Sequence, residues 1–160
     1  RAGQIVNAAV QPAASRIEFS SFQAEESNEI ELATAERVVS GGRGLGNAEG
    51  FKAIRDLAHS IKAAVGASRA VVDSGWIAYR HQVGLTGKAV RPKLYIACGI
   101  SGQIQHLAGM SASPNIVAIN TDPDCPMMKV ASVSVEGDLQ QLHPLVTAQI
   151  KKRKGVPVAA

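Results

Sequence analysis

Residues 94–110, LYIACGISGQIQHLAGM, begin with a short apolar run and continue into a loop of small and polar residues. The run at residues 94–98 is typical of a buried β-strand, and the segment after the loop predicts the start of a helix. The glycines allow the backbone to approach a bound group closely, and Ser101 supplies a hydroxyl. The stretch therefore indicates either a strand followed by a ligand-facing loop or an ordinary strand-to-helix turn capped by a serine.

Other apolar runs alternate with segments of helical period along most of the chain. The predicted strands cover residues 37–40, 69–72, 94–98, 116–120 and 131–135. An amphipathic helix is predicted over residues 50–65, and a terminal helix is predicted to begin near His143, because Pro144 fits best in a first turn. This alternation predicts an α/β fold, a three-layer α/β/α arrangement with a mainly parallel, doubly wound sheet and an N-terminal extension.

The composition indicates a globular domain of ordinary size. The chain has 160 residues, of which 46% are hydrophobic and 4% aromatic, and its formal net charge is +4. This modest charge and the few aromatic residues argue against a nucleic-acid partner. No apolar stretch approaches the ~20 residues of a membrane span, and no secretory signal is recognisable. We therefore expect an intracellular protein that is neither secreted nor inserted into a membrane, with Cys98 and Cys125 as free thiols outside any disulfide or metal site.

The chain divides by composition into three parts. Residues 1–34 mix alanine, glutamine and acidic residues and are predicted to be an appendage and linker. Residues 35–154 form the predicted domain, and residues 155–160 form a tail.

Glycine-rich or polar loops follow the predicted strands. Because ligands bind at the carboxyl ends of the strands in an open parallel sheet, these loops predict a nucleotide site. Gly42 to Gly46 nevertheless have the spacing G-x-G-x-G, which is not the dinucleotide fingerprint, and no P-loop is present. What remains is Arg43 between glycines at a strand end, where a guanidinium can contact a pyrophosphate. The serines and histidines lack the spacing of a classical hydrolase.

The ordered loops closely resemble one family. The matching segments are VVSGGRG at residues 38–44, VGASR at 65–69, QVGLTGK at 82–88, the stretch 94–110, IVAIN at 116–120 and GDL at 137–139. Together they resemble the alpha subunit of electron-transfer flavoproteins over about residues 37–150. The resemblance implies that this is the FAD-binding C-terminal domain of such a subunit, and that residues 1–34 are a remnant of the family's N-terminal domain.

The resemblance also implies a set of cofactor-binding residues. Arg43 and Ser68 fall at the phosphates, residues 101–105 around the ribityl-pyrophosphate region, and residues 83–86 beside the isoalloxazine ring. The full set is Arg43, Ser68, Arg69, Gln82, Val83, Gly84, Leu85, Thr86, Ser101, Gly102, Gln103, Ile104, Gln105, His106, Asn120, Asp138 and Leu139. Asn120, Asp138 and Leu139 match the adenosine end, and no catalytic or metal-binding residue is implied.

Two members of this set would tune the cofactor. A cation at Arg69 and a histidine at position 106 favour negative charge on a reduced flavin, and hence one-electron chemistry. Four residues of the full set also have a purely structural alternative. These alternatives are an ion pair between Arg69 and Asp73, a helix cap by His106, a helix N-cap by Asp138 and a role of Thr86 in a turn. Leu85 departs from the family pattern, since a glutamine is usual at this position, and this leaves the local hydrogen bonding beside the flavin open. The segment after Asn120 also departs, with Thr121 and residues 125–128 in place of the family's commoner residues.

The resemblance implies a FAD-binding electron carrier that accepts electrons from a donor dehydrogenase and passes them to a downstream redox acceptor. A beta subunit is the implied partner, and no independent substrate turnover is expected. The expected location is the cytoplasm for a bacterial protein or the mitochondrial matrix for a eukaryotic one. A non-redox nucleotide-binding module and an interaction module of the same fold remain the alternatives.

Overall fold

The computed structural model describes residues 3–4, 6–9, 17, 19–21 and 29–153. Within these residues the strands are β1 (Arg37–Gly41), β2 (Ala64–Ala67), β3 (Leu94–Cys98), β4 (Ile116–Asn120) and β5 (Val133–Glu136). The α-helices are α1 (Phe51–Ile61), α2 (Arg69–Asp73), α3 (Ile104–Leu107), α4 (Pro126–Val130) and α5 (Leu139–Arg153). Short 3₁₀ turns lie at Arg43–Leu45, Ala48–Gly50 and Tyr79–His81.

The strands form one fully parallel sheet in the order β2-β1-β3-β4-β5. The chain leaves β1 in one direction to form β2 and then crosses back to form β3 on the other side of β1. The strand order therefore reverses between β1 and β3. In open α/β sheets, the loops at such a reversal separate and leave a crevice at the carboxyl ends of the strands.

Two hydrophobic clusters cover the two faces of the sheet. The neighbouring β1 residues Val38 and Val39 belong to different clusters, as the alternation of side chains along a strand requires. Ile54 of α1 and Leu139 of α5 lie in the cluster with Val39. Met127 of α4 lies in the cluster with Val38. Helices thus lie on both faces, which confirms the three-layer, doubly wound α/β/α prediction.

The residues before β1 pack onto this domain. Leu32 and Ala35 belong to the cluster that contains Val38. Glu29 lies 2.7 Å from an Arg55 guanidinium nitrogen and 3.3 Å from one of Arg80. The described part of the linker from residue 29 onward is therefore in contact with the domain surface.

The predicted strand at residues 69–72 is wrong, because these residues form α2 and the second strand lies at β2. The two valines of α2 favoured a strand, but both of their amides donate to the Ser68 carbonyl, at 3.3 and 3.4 Å. β2 consists of small residues, and at Gly66 an added Cβ would lie 2.9 Å from Ser40 Oγ. Close packing therefore selects residues of low strand propensity, and the sequence gives little sign of the strand.

Both long helices differ in extent from the prediction. Helix α1 ends at Ile61 because Lys62 adopts a left-handed conformation with φ 53°, and the last predicted helical residues belong instead to β2. Helix α5 begins at Leu139 rather than near His143, so Pro144 lies inside the helix. Asp138 starts this helix early, because its carboxylate accepts the Gln140 amide at 2.8 Å.

Strand β5 begins two residues later than predicted for residues 131–135 and extends one residue further. The predicted tail at residues 155–160 lies outside the described residues, as does much of the predicted appendage. In the part of the chain that is described, no helix has both the length and the apolar character needed to cross a bilayer.

Candidate functional site

A cavity of about 490 Å³ lies at the carboxyl edge of the sheet. Residues from the segments after β1, β2, β3 and β4 line it. Its volume falls within the roughly 300–1,000 Å³ of pockets that hold small molecules and cofactors. The loops that the sequence analysis singled out therefore meet around one space.

Most of the predicted site residues line this cavity. They are Arg43, Ser68, Arg69, Gln82, Val83, Gly84, Leu85, Thr86, Ser101, Gly102, Gln103, Gln105, His106 and Asn120. These residues come from four separate segments that lie at or after the ends of different strands. The fold thus brings together side chains that lie as far apart in the chain as Arg43 and Asn120.

Three predicted site residues do not line the cavity. Ile104 is the first residue of α3 and is 81% exposed. Asp138 acts as the N-cap of α5, which is the structural alternative considered for it. Leu139 is buried in the core beneath α5. The structure therefore gives Asp138 and Leu139 roles in folding the terminal helix.

Backbone hydrogen bonds hold the loops at the cavity together. The Gly42 amide donates to the Cys98 carbonyl at 2.9 Å, which connects the segment after β1 to the end of β3. The Ser68 amide donates to the Gly41 carbonyl at 3.0 Å, so the ends of β1 and β2 are joined in the same way. The position of the Ser68 backbone at the cavity is therefore set by the sheet itself.

Two guanidinium groups belong to the cavity wall. Arg43 is exposed, and among the described residues no carboxylate pairs with it. Arg69 Nε lies 3.2 Å from Asp73 Oδ2, so the structural alternative considered for Arg69 is present. Both partners of this pair are more than 60% exposed. Exposed pairs contribute only about 0.2–1 kcal/mol, so Arg69 can exchange Asp73 for an anionic ligand at little cost.

A tight loop forms another part of the wall. The Gln82 side-chain amide donates to the Thr86 hydroxyl at 3.0 Å, and the Leu85 amide donates to the Gln105 carbonyl at 2.8 Å. Gly84 has φ 141°, and a Cβ there would lie 2.9 Å from the Gln105 carbonyl oxygen. The Leu85 side chain is 73% exposed. The loop thus presents the Thr86 hydroxyl and an exposed apolar side chain beside the cavity.

His106 is a buried titratable side chain of the site. Its Nε2 atom lies 2.9 Å from the Tyr95 hydroxyl, and its Nδ1 atom is buried without a hydrogen bond of ordinary geometry to the described residues. Burial lowers the pKa of His106 to about 4, although the Val83 backbone acts in the opposite direction. The imidazole is therefore neutral at pH 7, with one ring nitrogen as a donor and the other as an acceptor.

Asn120 connects two segments of the cavity wall. Its side-chain nitrogen donates to the Ile100 carbonyl at 3.1 Å and lies 3.4 Å from Cys125 Sγ. Its side-chain oxygen accepts the Asp122 amide at 3.1 Å. The amide group is thus engaged within the protein, and it holds the loop after β3 against the loop after β4.

Several cavity residues were absent from the predicted set of cofactor-binding residues. They are Gly44, Ala70, Asp73, Gly99, Ile100, Asp122 and Cys125. Gly44 and Gly99 belong to glycine-rich loops, which are a recognisable signal of close backbone approach. Cys125 had no such signal, because it reaches the cavity only where the chain folds back and the Met127 amide donates to the Ser101 carbonyl at 3.1 Å.

The fold and this cavity define a parallel α/β domain with a site suited to a nucleotide cofactor. The particular family follows from sequence comparison: the chain belongs to the family described as the electron transfer flavoprotein FAD-binding domain, whose model matches residues 31–111. FAD is therefore the cofactor of this family, as the resemblance implied.

Three curated relatives illustrate the similarity. An electron transfer flavoprotein subunit alpha of Thermoanaerobacterium thermosaccharolyticum is 55% identical over 139 residues, covering 87% of this chain and 42% of the relative. A protein named electron transfer flavoprotein subunit alpha, mitochondrial, of Dictyostelium discoideum is 54% identical, with 86% and 39% covered. The subunit alpha of Mycobacterium leprae is 53% identical, with 80% and 40% covered. The chain thus spans about two fifths of the length of these relatives.

The residues at the cavity fit FAD chemically. Arg43 and Arg69 supply positive charge for a diphosphate, and the hydroxyls of Ser68 and Ser101 add hydrogen-bonding groups. The Nδ1 atom of His106 is buried and has no hydrogen-bond partner among the described residues. A carbonyl of a bound ring can supply that partner. The donor set therefore suits an anionic, ring-containing cofactor.

Proposed function

We propose that this chain is the FAD-binding part of an electron-transfer flavoprotein alpha subunit. It accepts electrons from a dehydrogenase, passes them to a downstream redox acceptor, and works with a beta subunit. The observation that carries the proposal is the cavity that brings Arg43, Arg69 and His106 from three separate segments to one space. Membership of the FAD-binding domain family supports it.

Some residues of the cavity would bind the phosphates of FAD, and others would adjust the reduction potential of its ring. Arg43, Ser68 and Ser101 would hold the phosphates, because guanidinium and hydroxyl groups hydrogen-bond phosphate oxygens. The FAD supplies reversible electron storage when it is bound. Arg69 and His106 would stabilise negative charge on the reduced ring, Arg69 by its charge and His106 by a hydrogen bond.

We also propose a location that follows the kind of cell. Relatives occur in bacteria, and others carry names that call them mitochondrial. The cytoplasm is the proposed location for a bacterial source, and the mitochondrial matrix is proposed for a eukaryotic one.

The test is FAD binding followed by reductive titration of the full-length protein expressed with its beta subunit. The expected result is a flavin absorbance spectrum at one FAD per alpha subunit, with stepwise reduction. Arg69→Ala is expected to lower the one-electron reduced fraction while FAD stays bound, and Arg91→Ala, at an exposed arginine outside the cavity, is the matched control. A purified protein that takes up no FAD would contradict the proposal.

A further inference from the structure

The cavity loop, residues 82–87, is flanked on both sides by residues that contact glutamates of the linker before β1. Just before the loop, one Glu29 carboxylate oxygen lies 3.3 Å from Arg80 Nη2 and 3.3 Å from His81 Nε2. His81 is buried, with 5% of its surface exposed, so this contact is screened less than an ion pair on the open surface. The turn that leads into the cavity loop is therefore held at Glu29.

A second glutamate holds the other end of the loop. A Glu31 carboxylate oxygen lies 2.6 Å from Lys88 Nζ. The Lys88 backbone closes the loop, because its amide donates to the Gln82 carbonyl at 2.8 Å and its carbonyl accepts the Gly84 amide at 3.2 Å. A shift of Lys88 therefore moves the backbone at Gly84, which lines the cavity. Glu31 thus acts on the cavity wall through Lys88.

The turn held by Glu29 is also bonded to the far end of the loop. Tyr79, the residue before Arg80, donates its hydroxyl to the Thr86 carbonyl. The Thr86 hydroxyl accepts the Gln82 side-chain amide at 3.0 Å, within the loop. The place of Thr86 at the cavity therefore depends on the turn, and the turn is held by Glu29.

The linker is itself anchored where it carries the glutamates. Leu32, next to Glu31, is 4% exposed and belongs to the same hydrophobic cluster as Val83 of the cavity loop. Glu29 accepts a hydrogen bond from Arg55 of α1 at 2.7 Å. Partial burial raises the pKa of Glu29, but the neighbouring positive groups lower it by more, so the carboxylate is ionised at pH 7. Both carboxylates therefore have defined positions beside the loop.

We propose that Glu29 and Glu31 are positioning residues that hold the cavity loop in the conformation that binds the cofactor, so that linker docking and cofactor binding strengthen each other. The proposal rests on the proposed function, because the cofactor is FAD. Coupling of this kind is reciprocal: the free energy that the docked linker adds to FAD binding is also what bound FAD adds to linker docking. Neither glutamate lines the cavity, so both act through the loop.

The test compares Glu29→Gln/Glu31→Gln with the wild type, in the full-length protein with its beta subunit. Hydrogen exchange in the FAD-free protein is expected to become faster at the amides of Gly84, Leu85 and Lys88, which form the loop's backbone bonds, and to stay unchanged in β3 and β4. In an FAD titration, affinity is expected to fall about threefold to tenfold, because the ion pairs are individually weak and several are lost together.

Glu36→Gln is the matched control, because Glu36 lies 2.6 Å from Lys93, is exposed to nearly the same extent as Glu31, 58% against 59%, and does not line the cavity. It is expected to leave loop exchange and FAD affinity unchanged. Charge reversal is the second test. Lys88→Glu alone is expected to loosen the loop, and adding Glu31→Lys is expected to restore both loop exchange and FAD affinity, which a merely structural role of either residue would not produce.

Four results would overturn the proposal: wild-type loop exchange in Glu29→Gln/Glu31→Gln, unchanged FAD affinity in that variant, an equal effect of Glu36→Gln, or no recovery on charge reversal. If the wild-type protein takes up no FAD, the proposed function fails. Loop exchange in the FAD-free protein then still decides whether the two glutamates hold the loop.

Discussion

Gly44 and Gly99 lie against each other, backbone to backbone, at the cavity. The Gly44 amide donates to the Gly99 carbonyl at 3.0 Å, and a Cβ added at Gly44 would lie 2.7 Å from the Gly99 Cα. Gly99 itself has φ 61°, a conformation that favours glycine. The segments after β1 and β3 can therefore come together at the point of strand reversal only because both residues lack side chains.

Gly44→Ala is expected to separate the two segments and to weaken FAD binding. Overpacking of this kind costs about 1–3 kcal/mol. The measurements are thermal unfolding and an FAD binding titration. Gly75→Ala is the control, because an added Cβ at Gly75 has nothing within 4 Å, so the only cost there is that of its positive φ, 71°. It is expected to lower stability by about 1 kcal/mol and to leave FAD affinity unchanged; equal effects of both variants on affinity would contradict the prediction.

Arg43→Ala is expected to lower FAD affinity by about tenfold to a hundredfold, because a charge-assisted hydrogen bond contributes about 1.5–3 kcal/mol. Arg43→Lys is expected to recover only part of the loss, since an ammonium group lacks the planar fork of a guanidinium. Equilibrium dialysis with FAD measures both effects. The control is Arg91→Ala, at an exposed arginine outside the cavity, and an Arg43→Ala protein with wild-type affinity would exclude a phosphate contact.

The fold class could be predicted from the sequence because buried strands and amphipathic helices each give a characteristic spacing of apolar residues. The apolar runs at β3 and β4 were found with the bounds that the structure shows. Strand β2 was missed because most of its residues are small, as the close packing at Gly66 requires, and small residues have low strand propensity. The start of α5 was misplaced because Pro144 suggested a first turn, whereas Asp138 caps the helix before it.

The candidate site was predictable to the extent that its residues lie in loops with a distinctive order. Tyr95 was not predictable, because a tyrosine in a buried strand has the same pattern as any core aromatic residue. Its contact with His106 joins residues of different elements, and only the three-dimensional packing of α3 onto the sheet reveals it. Cys125 was missed for a similar reason.

Leu85→Gln is expected to change the midpoint potential of bound FAD without abolishing binding. Leu85 is exposed at the cavity, and the backbone bond from its amide to the Gln105 carbonyl does not depend on the side chain. Potentiometric titration measures the effect. Ile104→Gln is the matched control, because Ile104 is also exposed and apolar but does not line the cavity. An unchanged potential in Leu85→Gln would remove this position from those that tune the cofactor.

His106 is expected to make the stability of the FAD-free protein depend on pH between about 6.5 and 4. Its pKa is about 4 in the folded protein against an ordinary 6.5. As the pH falls through this window, the unfolded chain binds a proton that the folded protein does not bind, so the free energy of unfolding decreases. At about 1.4 kcal/mol per pKa unit, the loss by pH 4 is about 3 kcal/mol.

His106→Gln removes this titration, so its free energy of unfolding is expected to fall less steeply than that of the wild-type protein as the pH decreases from 6.5 to 4. Urea unfolding at several pH values measures the difference, and above pH 7 the two curves are expected to run parallel, which serves as the internal control. Parallel curves below pH 6.5 as well would mean that the imidazole takes up its proton equally readily in both states, and the lowered pKa of His106 in the folded protein would then be wrong.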